Sequence, residues 1–166
     1  MGTHRNDVGP LPQKPVEVCP GLFGGALTPM AYAEGRVFVP VVELCMVESA
    51  EKTASVLQRP AEEGTGVIAA IDAASGRPLW TRDLPSAPFG CATAASGVVF
   101  TPTYDGWIYA LSAESGEILW KDRAAAGING CPSVEGDTLL VPAGAPHRDF
   151  TRPEPQLIAY RLAPPQ

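Results

Sequence analysis

Ile71-Asp72-Ala73-Ala74-Ser75-Gly76-Arg77-Pro78-Leu79-Trp80 returns forty residues later as Leu111-Ser112-Ala113-Glu114-Ser115-Gly116-Glu117-Ile118-Leu119-Trp120. Each copy is an apolar run, a polar turn closed by glycine, and a second run ending in tryptophan. Asp72 heads its turn with a side chain that accepts bonds from turn amides, and Gly76 can take positive φ. Ser112 and Gly116 play the same parts in the second copy, with a weaker acceptor. The correspondence extends outward, since Cys91 recurs as Cys131 and Pro102 as Pro142 at the same spacing. A period of this length, built from short strands and turns, predicts a repeat array whose units bury their apolar faces against one another.

Working outward from the repeat defines one unit. Cys91-Ala92-Thr93-Ala94 reads as a short strand, and Ser96-Gly97 turns it into Val98-Val99-Phe100-Thr101. Asp105-Gly106 then turns the chain into Trp107-Ile108-Tyr109-Ala110-Leu111, and Asp-Gly between apolar runs is a strong hairpin signal. Ile118-Leu119-Trp120 completes four antiparallel strands. An earlier unit aligns with it, Gly35 to Pro40 matching Gly97 to Pro102 at an offset of 62. The longer offset falls in residues 48–65, read as a long surface hairpin or loop. A short helix from Ser49 to Leu57 is the alternative there. A third unit starts at Cys131-Pro132-Ser133-Val134, carries an insertion at about 144–155, and resumes at Leu157-Ile158-Ala159-Tyr160. No fourth strand follows. The expected division is an extended, proline-rich arm over 1–18, then units over about 19–85, 86–125 and 126–166.

Composition narrows the function classes. Net charge is −6, with 12 Lys and Arg scattered singly among 166 residues, so no basic face is available for phosphates and no nucleic-acid role is expected. No apolar run approaches the roughly 20 residues of a membrane-spanning helix. Met1-Gly2-Thr3-His4-Arg5-Asn6-Asp7 lacks the apolar stretch of an export signal, so the chain as written reads as cytosolic. The four cysteines, Cys19, Cys45, Cys91 and Cys131, lie far apart with no CxxC pair. No zinc site is expected of them. They read first as small buried hydrophobes, with a disulfide as the minor alternative.

Four-stranded units at this period suggest β-propeller blades. Ala70-Ile71-Asp72-Ala73-Ala74-Ser75-Gly76 through Trp80, and Ala110-Leu111-Ser112-Ala113-Glu114-Ser115-Gly116 through Trp120, resemble the blade motif of the pyrroloquinoline-quinone (PQQ)-like propellers. The likeness covers about residues 20–162. It departs at Ser112, where the family usually has Asp, and at Arg161, where the third copy lacks the motif. It implies an all-β partial propeller of about three four-stranded antiparallel blades, the last without its outer strand, and inter-blade packing of Trp80 and Trp120. Complete relatives have seven or eight blades, so the expected partners are the remaining blades of a parent propeller or copies of this chain. The family includes PQQ-dependent dehydrogenases of alcohols or sugars and BamB-type proteins that share the blades without a cofactor. The first function expected is a binding or scaffold role within a larger propeller, and the second is part of a quinoprotein oxidoreductase. PQQ and calcium are implied by the resemblance alone. This chain has no adjacent cysteine pair like that of the quinoprotein dehydrogenases, and their calcium ligands have no counterparts that can be placed. Relatives are commonly exported.

In a propeller the innermost strands line the central channel, here expected at Ala26 to Ala31, Cys91 to Ala95 and Cys131 to Val134. Cys91, Thr93, Asn129, Cys131 and Ser133 are the channel-lining candidates. Small residues are also what crowded strands near an axis require, and that bland reading is favoured. His4, Asn6 and Asp7 form a polar cluster with residue types suited to metal binding or acid–base work. His147, Arg148 and Asp149 are expected in a solvated loop. Tyr104 and Trp107 flank the Asp105-Gly106 turn, and Trp107 is expected to pack.

Overall fold

The computed structural model describes residues 16–48, 57–58 and 60–162. The first main sheet consists of β2 (Ala31–Ala33), β3 (Arg36–Glu43), β6 (Thr65–Asp72) and β7 (Pro78–Leu84), in that order. The second is β8 (Thr93–Ala95), β9 (Val98–Pro102), β10 (Trp107–Ser112) and β11 (Ile118–Arg123). Among the described residues the third has three strands, β12 (Ser133–Glu135), β13 (Thr138–Ala143) and β14 (Gln156–Arg161). All pairings are antiparallel. The registers repeat too: Ala70 faces Trp80 and Ala110 faces Trp120, with a register shift just beyond each pair. The turn chemistry is as read, because Asp72 accepts from Ser75 N–H at 2.7 Å and Gly76, Gly116 and Gly106 all have positive φ.

A small additional sheet joins β1 (Val16–Val18), β4 (Met46–Glu48) and β5 (Leu57–Gln58). The last residues of the expected N-terminal arm therefore form a paired strand. Most of the segment read as a loop or as a helix from Ser49 to Leu57 lies outside the described residues, as do His4, Asn6 and Asp7.

The sheets stack face to face, and the core consists of their two interfaces. Phe38, Ile68 and Ala70 of the first sheet pack on Val99, Tyr109 and Leu111 of the second. Ile108 of the second sheet packs on Leu139, Val141 and Ala143 of the third, with Ile128 from the connecting loop. Strand β10 is buried on both faces because it lies in the middle sheet, whereas β14 alternates half-buried and exposed residues. That alternation is what a strand covered on one face alone requires. The inner strands start at Ala31, Thr93 and Ser133 rather than at the earlier positions expected. Prolines at 29 and 132 stand in the lead-ins, and a proline nitrogen donates nothing to a ladder.

Candidate functional site

The connections β7–β8, β9–β10, β11–β12 and β13–β14 meet at one end of the stack. Tyr104 N–H donates to Ala87 O at 2.9 Å, and Ala124 N–H to Gly106 O at 2.9 Å. Gly127 exchanges backbone bonds with Ala145, bringing the insertion after β13 onto the loop that leads to β12. Four rings run across this end: Phe89 on Tyr104 at 5.3 Å, Tyr104 on His147 at 5.6 Å, and His147 on Phe150 at 6.0 Å.

His147 corrects the sequence reading. It is 6% exposed, and its Nδ1 accepts from Asp149 N–H at 3.2 Å. The loop is packed rather than solvated at this residue, because the rings of Tyr104 and Phe150 exclude water; Arg148 and Asp149 do face solvent. Arg123 organises the surrounding charge. Its Nε donates to Asp105 O at 3.0 Å, its Nη2 bonds the Asp149 carboxylate, and its guanidinium lies 5.3 Å from the Phe150 ring centre. The Arg123 hydrogen bond is the main reason the Asp149 carboxyl ionises below its ordinary range. Trp107 packs as expected against the core, with the cations of Lys121 and Arg123 4.7 Å and 5.8 Å from its ring centre.

The channel-lining candidates gather at the inner edge. Cys91 and Cys131 form a disulfide with Cα atoms 4.6 Å apart, and Thr93 Oγ1 donates to Pro132 O at 2.7 Å. Asn129 and Ser133 are exposed beside them. Cys19 and Cys45 form a second disulfide, leaving no free cysteine. The reading as buried thiols is thereby corrected. Equal spacing had placed Cys91 and Cys131 at equivalent points of neighbouring units, and adjacent inner strands approach closely enough there to bond.

The Trp pair behaves asymmetrically. Trp80 Nε1 donates to Ala113 O at 3.1 Å, and its ring covers Gly116, where a methyl would lie 2.6 Å from Cε3. Arg82 Nε adds a bond to Gly116 O at 2.9 Å, a tie that the repeat motif did not announce. Trp120, the counterpart of Trp80, instead borders a groove of about 500 Å³ lined by Phe100, Leu119, Val134, Leu139, Tyr160 and Leu162, among others. Its ring meets Tyr160 edge-on at 5.0 Å, and Tyr160 Oη donates to Asp122 at 3.0 Å.

Burial pushes the phenols of Tyr109 and Tyr160 up to about 12, with the Asp122 hydrogen bond adding to the shift for Tyr160. Both groups fold in the neutral form. Their contribution to stability is complete below the unfolded phenol value of about 10 and is lost as pH rises through about 12. An absorbance titration is expected to show these two phenolates appearing only in that window, together with loss of structure. Ionisation of either near pH 10 in the folded protein would contradict it.

The comparisons with known proteins match this architecture. The family model described as outer membrane protein assembly factor BamB matches residues 64–152, more than half of the chain. The chain belongs to the PQQ-like β-propeller family. A quinoprotein ethanol dehydrogenase of Pseudomonas putida is 33% identical over 130 residues, covering 69% of this chain and 21% of that protein. A lanthanide-dependent methanol dehydrogenase of Methylacidiphilum fumariolicum is 30% identical over 133 residues, covering 69% of this chain and 22% of that protein. The solved quinohemoprotein alcohol dehydrogenase from Comamonas testosteroni superposes with a TM-score of 0.64 at 22% identity, over 88% of this chain and 27% of that one. That likeness shows the fold: this PQQ-like chain is a partial propeller whose described residues form three blades, the third with three strands. The chain spans only about a fifth of the length of the first two relatives.

A calcium or lanthanide ion tests poorly against the residues described. Calcium and lanthanides take several hard oxygen ligands. Among the described residues, acidic, thiol and imidazole side chains come within gripping distance of one another as a group of three at Glu17, Cys19 and Cys45. Both of those sulfurs are bonded to each other. The described residues thus do not fit a cation site, and no catalytic step is derived through one.

Proposed function

We propose that this chain supplies consecutive blades to a larger propeller, with a binding or scaffold role, the blades being residues 19–85, 86–125 and 126–166. The observation that carries the reading is the half-finished Trp–Gly lock at each end of the stack. Between the first two blades the lock is complete, Trp80 sitting on the turn that holds Gly116. Gly76 is the counterpart of Gly116, with φ of +70°, yet nothing lies within 4 Å of a methyl built there. It is a seat for a tryptophan from a preceding blade. Trp120 is a tryptophan in want of such a seat. The turn that covers Trp80 is at Ser115-Gly116 of the second blade, and among the described residues no such turn lies over Trp120.

Remaining blades of a parent propeller are the partners this supports. The two disulfides further support an oxidising compartment, against the cytosolic reading.

Light scattering coupled to size-exclusion chromatography is the test. The purified chain is expected to associate polydispersely through its open faces, where Tyr32 is 69% and Leu157 68% exposed. A strictly monomeric, β-rich species with sharp unfolding would overturn the proposal.

The second reading is a part of a quinoprotein oxidoreductase acting on alcohols or sugars. Its support is the set of dehydrogenases among the relatives. With PQQ and calcium added, no dye reduction is expected from this chain, and a reconstituted activity would favour the second reading over the first.

A further inference from the structure

We propose that Cys131 is a thiol–disulfide exchange site, and that the Cys91–Cys131 bond is a reducible staple holding the third blade against the second. This inference stands on the chain itself and does not depend on the parent propeller.

Each half of the staple is fixed to its own sheet. Gly90, just before Cys91, lies so close to Pro102 that a methyl would meet Cγ at 2.2 Å. Gly130, just before Cys131, repeats the arrangement on Pro142, at 2.7 Å. The two chain segments are thus seated on β9 and β13, and the disulfide crosses between the sheets. The two residues differ in exposure. Cys91 is 5% exposed, while Cys131 is exposed, between exposed Asn129 and Ser133.

A thiolate displaces along the S–S axis, so the open sulfur is the one attacked. The incoming sulfur bonds to Cys131 Sγ, the Cys91–Cys131 bond breaks, and the electron pair leaves on Cys91 as thiolate, which takes a proton from water. A second thiolate attacks the incoming sulfur of that mixed disulfide. It releases Cys131 as thiolate, protonated in turn, and leaves as the oxidised thiol. Two thiols are oxidised to one disulfide as the protein pair gains two electrons and two protons.

The consequence is local. At its outer edge, among the described residues, no turn covers Trp120; beside the open groove the ties are Tyr160 Oη to Asp122 and Arg123 to Asp149. At its inner edge the remaining side-chain tie is Thr93 to Pro132 O. Between them lies the apolar cluster around Ile108 and Val141. Reduction removes the covalent link at the inner edge of a blade that only two side-chain bonds hold at the outer one. Cys19–Cys45 differs, because it ties the chain after β1 to the loop after β3 and crosses no blade interface.

The test uses the native full chain with glutathione, quenched by alkylation and mapped by peptide mass spectrometry, with amide hydrogen exchange on the same sample. The expected result is glutathione on Cys131, alkylated Cys91, and severalfold faster exchange over 133–143 and 156–161 with 65–84 unchanged. Cys131→Ser should reproduce the faster exchange without added glutathione. Glutathione found mainly on Cys91, a bond that resists glutathione until the protein is denatured, or reduction with no change of exchange in the third blade would each overturn the proposal.

Discussion

Replacing Gly116 by alanine is expected to cost about 2–4 kcal/mol, while the same change at Gly76 costs only about 1–2 kcal/mol. The two glycines occupy the same place in the repeat and have φ of +69° and +70°. An alanine at either pays the strain of a left-handed backbone. Only at Gly116 does the new methyl also meet a ring, 2.6 Å from Trp80 Cε3. The ring cannot retreat freely, because its Nε1 is bonded to Ala113 O and Arg82 is tied to the same turn. Urea unfolding of both variants checks the difference. Equal losses would mean that the Trp80 contact contributes nothing beyond backbone strain.

Phe38→Ala is expected to destabilise by about 3–5 kcal/mol. Phe38 is fully buried at the interface of the first two blades, with Trp80 at a ring separation of 6.0 Å. Its neighbours Ile68, Val99 and Leu111 belong to two different sheets, and β-sheet side chains cannot collapse far into a void. Phe23, 54% exposed, provides the contrast: its alanine variant is expected to stay within about 0.5 kcal/mol of the parent. A mild Phe38→Ala would mean that the sheets do not pack as one core.

Much of the fold was legible because it is local. Gly97, Gly106 and Gly136 each reverse the chain at positive φ between apolar runs, and such turns fix which strands are neighbours. The repeat then carried the reading from one unit to the next. What escaped was non-local. Strands β1, β4 and β5 are only two or three residues long and too short to show alternation, so their pairing left no pattern. His147 gave no sign of burial, since the rings around it come from Tyr104 and its own loop. The Arg82 tie to Gly116 is absent from the next unit, where Asp122 stands instead, and a repeat reports what is shared rather than what differs. For the disulfide the signal was present: two cysteines separated by one full period. It was read as a shared lining position, when equivalent positions on adjacent inner strands are also near neighbours.

The inter-blade bond also changes how the molecule would bear load. A chain pulled from its two ends transmits tension along the shortest covalent path, and that path crosses from Cys91 directly to Cys131. The second blade, β8 to β11, hangs outside it as a slack loop. Its strands would feel no force however far the flanking sheets were drawn out. Cutting that one bond would return the whole loop to the line of tension, adding about 13–14 nm of extensible chain in a single step.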